Sequence, residues 1–411
     1  MRMRTPREVA PDFERDVQLA CAGQGDPAYF GRLAAESPAA VEWLQSFGVE
    51  FASPGYYLSV APPRIQPVGG GSAVLDRLLR AARACAIEFH YECEARRLAR
   101  GAGDALAGVE FRTGDGTAKL ASCAAVVLAC GGFEGDAAML AEHFGPQART
   151  LRPISPGTRY NTGLGIRMAC ELGARRAGDW NGMHIEPVDA RSRKSAPVVL
   201  VYPYGILVDR AGSRFCDEGA GLMHETWERL ARTIHFSTPG GMAWSIHDRS
   251  LLEIEGYERA IRSDVPPMQA GSIGELAAIA GISAAGLERT IAQYNAAARG
   301  DPARFDAGRA DGLAAAADLA PPKSNWARPI RKPPYLAYPL VGAIAYTFGG
   351  VATNEEAEVL GENGVIPGLY AAGEITGHFH HTAPNAVAIM RALVFGRIAG
   401  ANAARHALLI S

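Results

Sequence analysis

The chain has 411 residues, 48% hydrophobic and 20% charged, with a formal net charge of −2. That is enough apolar material for a sizeable core, and the length points to two domains or one elaborated domain. A balance so close to neutral gives no bulk electrostatic case for nucleic acid or an anionic membrane.

The seven cysteines (21, 85, 93, 123, 130, 170 and 216) form no CxxC pair, and no Cys/His cluster has zinc spacing, so no metal site is expected. The longest apolar stretch, Ala124–Cys130, is too short to span a bilayer, so no membrane insertion is expected. The start, MRMRTPREVAPDFERD, lacks the apolar segment of a secretory signal. A cytoplasmic protein with scattered reduced thiols is the expectation.

Residues 28–47 carry helical apolar spacing that Pro38 is expected to interrupt. The glycine run at 69–71 precedes a helix with Ser72 as its cap. Residues 87–98 read as a strand. Next comes a hairpin turning at Gly114-Asp115-Gly116, then the strand AAVVLA, expected to be buried on both faces. This strand runs into Cys130-Gly131-Gly132-Phe133, at the edge where open α/β sheets bind ligands.

Residues 179–346 are richer in Pro, Trp and His. Within them, 204–218 read as two short strands around Ala211-Gly212. Residues 272–299 read as a helix pair, each with a serine at its start. Residues 300–334 read as a surface excursion. Near the end, LYAAGE is a buried strand finishing at Gly373-Glu374, and a long apolar helix closes the chain. The expected division is an α/β domain made of 1–178 and 347–411, with 179–346 inserted as an α+β cap.

Three segments carry chemistry: the strand–Gly–Gly–Phe at 129–133, the turn and helix NTGLGIRMACELGA at 161–174, and GLYAAGEITG at 368–377 followed by a helix. Glycines let a backbone pass close to a ligand. Glu374 is placed to accept from a ribose hydroxyl, and a helix N-terminus suits an electron-rich ring. In this order the segments resemble the FAD-binding fumarate reductase/succinate dehydrogenase flavoprotein superfamily, and within it the tricarballylate dehydrogenase-like branch. The phrases GTRYNTGLGIRMACELGA, YPYGILVDRAGSRFCDEGA, YPLVGAIAYTFGGVATN and PGLYAAGEITG support the resemblance, which runs from about residue 25 to 405.

The resemblance implies a flavin-binding Rossmann-like domain, FAD as cofactor, and an inserted capping domain that pins the substrate. It places Ala95 by the adenine, and Ala129, Gly131 and Gly132 along the nucleotide. Thr162 and Gly163 fall near the phosphate–ribityl region, Gly373 and Glu374 at a ribose or the ribityl. Ala386, Val387, Ala388 and Ile389 fall under the pyrimidine edge of the flavin ring.

Two departures qualify this picture. Flavoproteins of this kind open with a strand, GxGxxG, a helix and an acidic residue. Gly69–Gly71 is not that motif, and the N-terminal βαβ unit is missing from the sequence as written. Two readings stand: a fragment or misassigned start, with FAD bound poorly by the chain as written, or a relic without the unit.

The catalytic positions also differ. The arginine expected after the GxRFxxE segment is replaced by Leu222 or Met223, with His224 adjacent. Tyr346 stands where the superfamily has a substrate-clamping histidine, and Pro384 where it has an arginine; His184 matches the other substrate histidine.

Flavin dehydrogenation needs an activated C–H, a base, and hydride transfer to or from flavin N5. The candidates for the protein's part are His184, His224, Tyr346, His380, His381 and Arg391, the last as an anion clamp. The expected substrate is a small molecule with a C–C bond beside a carboxylate or ketone, and the electron acceptor or donor is unidentified. A tricarballylate-like carboxylate leads, a 3-ketosteroid-type ketone comes next, and a catalytically silent ligand- or partner-binding scaffold is the competing class.

Overall fold

The computed structural model describes residues 6–53, 65–101, 106–382 and 387–410. It opens with α1 (Pro6–Ala20) and α2 (Pro27–Ser46). The Asp26 carboxylate caps α2 by accepting from the N–H groups of Ala28 and Tyr29. Contrary to expectation, α2 runs unbroken through Pro38. An interior proline costs about 3 kcal/mol. The buried face of Tyr29, Phe30, Leu33, Ala40 and Leu44 offsets it, at roughly 1.5–3 kcal/mol per large side chain.

After β1 (Phe51–Ala52) and β2 (Gln66–Pro67), α3 spans Gly70–Ala84. It therefore begins before Ser72. Gly69, with φ 82°, makes the turn into it, a left-handed conformation that glycine adopts at little cost. The next strand, β3, is Glu94–Arg100 only. Residues 87–93 do not join it, because Ala86 and Glu92 take positive φ and break the extended run. Antiparallel β3, β4 (Leu106–Arg112) and β5 (Ala118–Ser122) form a small sheet. Its expected hairpin turn is present, with Asp115 accepting from the Thr117 N–H.

The strand β6 is short, Val126–Leu128, and Val127 is 38% exposed, so it is not covered on both faces. The chain continues through α4 (Ala137–Phe144), β7 (Arg152–Pro153), α5 (Leu164–Glu171), β8 (Arg176–Ala177), β9 (Met183–Asp189) and β10 (Ile206–Val208). The second of the two strands expected in 204–218 is reduced to one bridge, Val208 to Arg214. Then come α6 (Met223–Ser237), β11 (Met242–His247) and β12 (Met268–Ala270). The expected helix pair follows as α7 (Ile273–Ala280) and α8 (Ala284–Ala297), capped by Ser272 and Ser283.

Residues 300–334 are irregular but not merely superficial. They bury Leu313, Lys323, Trp326 and Ile330, because the loop packs into the core beside Tyr204 and Tyr294. The last elements are β13 (Tyr335–Thr347), β14 (Gly350–Val351), β15 (Glu358–Gly361), β16 (Gly364–Ala371) and α9 (Val387–Ile410).

Two sheets position the site. In one, β13 is the spine: β11, β12 and β9 pair with it antiparallel and β7 parallel, and β10 pairs with β11. In the other, β15, β16 and β6 lie in that order, with β16 and β6 parallel. The helix α9 packs Val394, Phe395 and Ala399 against the α2 residues Tyr29, Phe30 and Leu33. Its Val387–Leu409 segment, mean hydropathy 1.3, is long and apolar enough to cross a membrane by length and composition. The core helix of a soluble protein meets the same measure, and α9 packs part of this segment against α2.

Candidate active site

The parallel pair β6–β16 ends at Leu128 and Ala371, and a cleft of about 1360 Å³ opens beside β6. Ala95, Leu98, Val126, Ala129, Cys130, Thr162 and Gly165 are among its walls. Small-molecule pockets are usually about 300–1,000 Å³, so this one suits an extended dinucleotide. It runs along the free edge of β6 and reaches the strand's carboxyl end at Ala129 and Cys130, the end at which open α/β sheets bind such ligands.

The chain turns just beyond Cys130. A Cβ on Gly131 would lie 2.3 Å from Asn161 Nδ2. One on Gly132 would lie 2.2 Å from Thr347 Oγ1 and 2.3 Å from Glu374 Oε1. The two glycines thus admit those side chains against the backbone. Glu374 Oε1 accepts from the Thr347 N–H at 2.9 Å, and its Oε2 from Asn161 Nδ2 at 3.4 Å. The same Asn161 nitrogen donates to Glu134 Oε1 at 2.6 Å. Gly163 starts α5, its N–H bonded to the Gly132 carbonyl, and Gly373 (φ 83°) turns β16 toward Glu374.

Next to Thr347 stands Tyr346. A bulge in β13 between Ile344 and Tyr346 sets Tyr346 directly opposite His184 on β9. Their rings are 5.1 Å apart, centroid to centroid. His184 is held at both nitrogens, with Nδ1 2.8 Å from Glu228 Oε2 and Nε2 3.0 Å from Glu186 Oε1. Burial acts to lower its pKa, but the two carboxylates override burial and raise it to about 9. The two contacts thus favour the imidazolium form of His184. Burial, above all, lifts the Tyr346 phenol well above the usual tyrosine range, so it stays protonated as a hydrogen-bond donor.

The remaining candidates are dispersed. His224 lies on the first turn of α6, four residues before Glu228 and so on the same face. His378 is buried, stacked on Tyr29 at 3.4 Å and paired with Thr353 Oγ1; burial first, then the Arg391 charge, lowers its pKa to about 3. His380 is half-buried, and His381 is exposed with φ 60°. Phe379 is the residue of that segment that reaches Tyr346, at 6.3 Å between ring centroids.

Arg391 is 1% exposed; its Nη1 donates to the Thr376 carbonyl and its guanidinium lies 4.0 Å over Phe379. Val387 and Ala388 pack into the core around Tyr29 and Phe395, Ile389 is 73% exposed, and Ala386 lies outside the described residues, as does Pro384. Among the described residues, no group of three or more His, Cys, Asp or Glu is arranged to hold a metal ion.

Sequence reasoning missed Glu186, Glu228, Glu134, Asn161 and Thr347. A period-two reading of β9 places Glu186 on the same face as His184. The i, i+4 spacing from His224 marks Glu228.

A parallel strand pair, a dinucleotide-sized cleft at its carboxyl end and glycine turns beneath it define an α/β flavin-binding protein. Residues 11–386 match the model of the FAD binding domain, and the chain belongs to that family; its cofactor is FAD. The chain is 28% identical to the probable fumarate reductase Ifc3 of Shewanella frigidimarina, over 96% of this chain and 64% of that protein. It is 30% identical to the 4-oxocyclohexanecarboxylate 2-dehydrogenase of Sinomonas cyclohexanicum, over 75% of this chain and 56% of that one. The chain thus spans less than two thirds of each of these relatives. The open conformation of a flavocytochrome c3 fumarate reductase superposes with a TM-score of 0.79 at 27% identity, covering 97% of this chain and 68% of that one.

The fit of FAD rests on the cleft itself. Ala95, Ala129 and Thr162 line it, and Glu374 stands at the turn just past Cys130, its carboxylate already oriented by Thr347 and Asn161.

Proposed function

We propose that the protein is an FAD-dependent oxidoreductase that dehydrogenates or reduces a C–C bond next to a carbonyl group, with a cyclic ketone as the favoured substrate. The observation that carries this reading is the Tyr346–His184 cross-strand pair, adjoining Thr347, whose N–H binds Glu374. The bound flavin supplies the hydride acceptor or donor. Tyr346 donates a hydrogen bond to the substrate's carbonyl oxygen and so stabilises the enolate-like charge that builds there, which acidifies the neighbouring C–H. His184, kept cationic by Glu186 and Glu228, holds Tyr346 from across the strand pair. His224, on the same helix face as Glu228, is the candidate to take up or return the proton. Residues 179–346 act as the cap that brings His184, His224 and Tyr346 over the parts formed by 1–178 and 347–411.

A tricarballylate-like carboxylate is the second reading. It has less support, because the His184 charge is already met by two carboxylates and Arg391 is buried beneath Phe379. A substrate with three carboxylates would face a negative cluster there. A cytoplasmic location belongs to the same proposal and rests on the fold type, with α9 packed on α2.

The test is turnover of the flavin-loaded protein with an artificial electron acceptor, on 4-oxocyclohexanecarboxylate-like ketones and on tricarballylate. Ketone turnover that Tyr346→Phe abolishes supports the first reading. Tricarballylate turnover supports the second. Loss of both with flavin bound supports a silent scaffold.

A further inference from the structure

Glu134 has no part in the reaction just proposed, yet it is 1% exposed, in the turn between β6 and α4. One of its oxygens takes the Asn161 amide; the other, Oε2, is buried without a hydrogen-bond partner. Asn161 Nδ2 reaches Glu134 at 2.6 Å and Glu374 at 3.4 Å, so a single amide nitrogen bridges two carboxyl groups. Gly131 and Gly132 keep that space open.

We propose that Glu134 and Glu374 hold one proton between them, and that Glu134 is the positioning residue that fixes the Glu374 carboxylate against Gly132, next to the Cys130 end of the flavin cleft. The inference rests on the flavin reading for its functional half and on this chain alone for the shared proton.

Two carboxylates bridged in a desolvated site cannot both ionise at modest cost. The charges around the pair decide which one keeps the proton. Arg391 from α9 and the Thr347 N–H from β13 favour charge on Glu374. Burial, and then the Glu374 charge, push Glu134 well above the usual carboxyl range, while Asn161 pulls the other way; burial also raises Glu374. Tyr346 on β13 senses Glu374 but stays protonated. The proton therefore resides on Glu134. Its O–H points to Glu374, whose backbone contact at Thr347 sets the plane of the carboxylate. Glu374 then presents a fixed lone pair to a hydroxyl of the cofactor's sugar or ribityl chain. Unpaired, the same side chain would be free to swing or to take up a proton itself, and it would accept hydrogen bonds poorly.

The sign of the pH effect follows. A carboxyl that stays protonated when folded but ionises when unfolded stabilises the fold at low pH. That stability is lost progressively as pH rises above the unfolded glutamate range toward the raised folded pKa.

The experiment compares the wild-type chain with Glu134→Gln and Glu134→Leu, by urea unfolding from pH 6 to 9 and by quenching of FAD fluorescence. The expected result is that Glu134→Gln gains on the wild type by close to tenfold in folding equilibrium constant per pH unit, the effect of one proton. Glu134→Gln is also expected to bind FAD within about threefold of the wild type, because the amide still donates to Glu374, and Glu134→Leu at least about tenfold more weakly. Parallel pH slopes for wild type and Glu134→Gln overturn the shared proton. Equal FAD affinity in Glu134→Leu and wild type overturns the positioning role. If Glu134→Leu does not fold, an FAD affinity of Glu134→Gln that falls tenfold or more overturns that role instead. A wild type that takes up no FAD removes the flavin reading and with it the positioning role, while the slope comparison still decides the proton.

Discussion

Tyr346 and His184 face each other across β13 and β9 in direct register, 5.1 Å between ring centroids, because a bulge at Ile344–Tyr346 shifts β13 by one position. Without the bulge, residue 345 would oppose His184 and the phenol would point to the other side of the sheet. The pairing depends on that irregularity as much as on the two residues.

The phenol carries the first prediction. Tyr346→Phe removes one hydroxyl and keeps the ring packed against Phe348 and Phe379. Turnover of a ketone substrate should fall by about 10²–10⁴, with the melting temperature nearly unchanged. Steady-state kinetics and a thermal melt on the same preparation check both halves. Unchanged kcat removes Tyr346 from the chemistry.

His184 offers a titration. Its two carboxylate partners raise it to about 9 against burial. Glu228→Gln should lower the imidazole pKa by about one unit or more, read from ring nitrogen chemical shifts. Because the folded pKa lies above the unfolded one of about 6.5, the cluster stabilises the fold fully below that range. It loses the contribution as pH rises through about 9. The difference amounts to about 3 kcal/mol at most, so wild-type stability should decline between pH 7 and 9, and Glu228→Gln should flatten part of the slope.

Gly132 tests the wall between the cleft and the carboxyl pair. Alanine there would set a methyl 2.2 Å from Thr347 Oγ1 and 2.3 Å from Glu374 Oε1. Thr347 cannot withdraw easily, since its own N–H is bound to Glu374. Gly132→Ala should cost about 1–3 kcal/mol and weaken FAD binding, measured by urea unfolding and flavin titration. Full stability would mean that Glu374 moves freely.

What the sequence disclosed follows the range of the forces involved. The hairpin around Asp115 and the helix pair capped by Ser272 and Ser283 are set by local turn and capping chemistry, and they appear in the structure. Pro38 was misleading, because its local cost is outweighed by the buried face of α2, which no local window contains. The start of β3 was misplaced, because the left-handed backbone at Glu92 leaves no compositional trace. In the site, His184 was legible and its partner Glu228 was not, 44 residues away and joined to it only by the packing of α6 on β9. His380 and His381 were read as candidates alike, but the fold leaves His380 half-buried and sends His381 outward, while their neighbour His378 turns inward against Tyr29.

Arg391 separates two roles for a buried cation. As a substrate clamp it would have to release the Thr376 carbonyl and leave Phe379, neither of which a surface guanidinium must do. Its Nε is buried without a partner, and its charge holds down the pKa of Glu374. Removing this cation would leave the buried Glu374 carboxyl without its nearby counter-charge. Arg391→Met should therefore destabilise the fold, by up to about 3 kcal/mol, as read by urea unfolding. It should weaken FAD binding several-fold, because Glu374 loses the positive charge that opposes the upward push of burial on its pKa. The KM for a carboxylate-bearing ketone should change by less than about threefold, since uniform substrate binding is not what the residue supplies. A KM rise beyond tenfold with unchanged FAD affinity would instead make Arg391 the anion clamp and restore the carboxylate reading of the substrate.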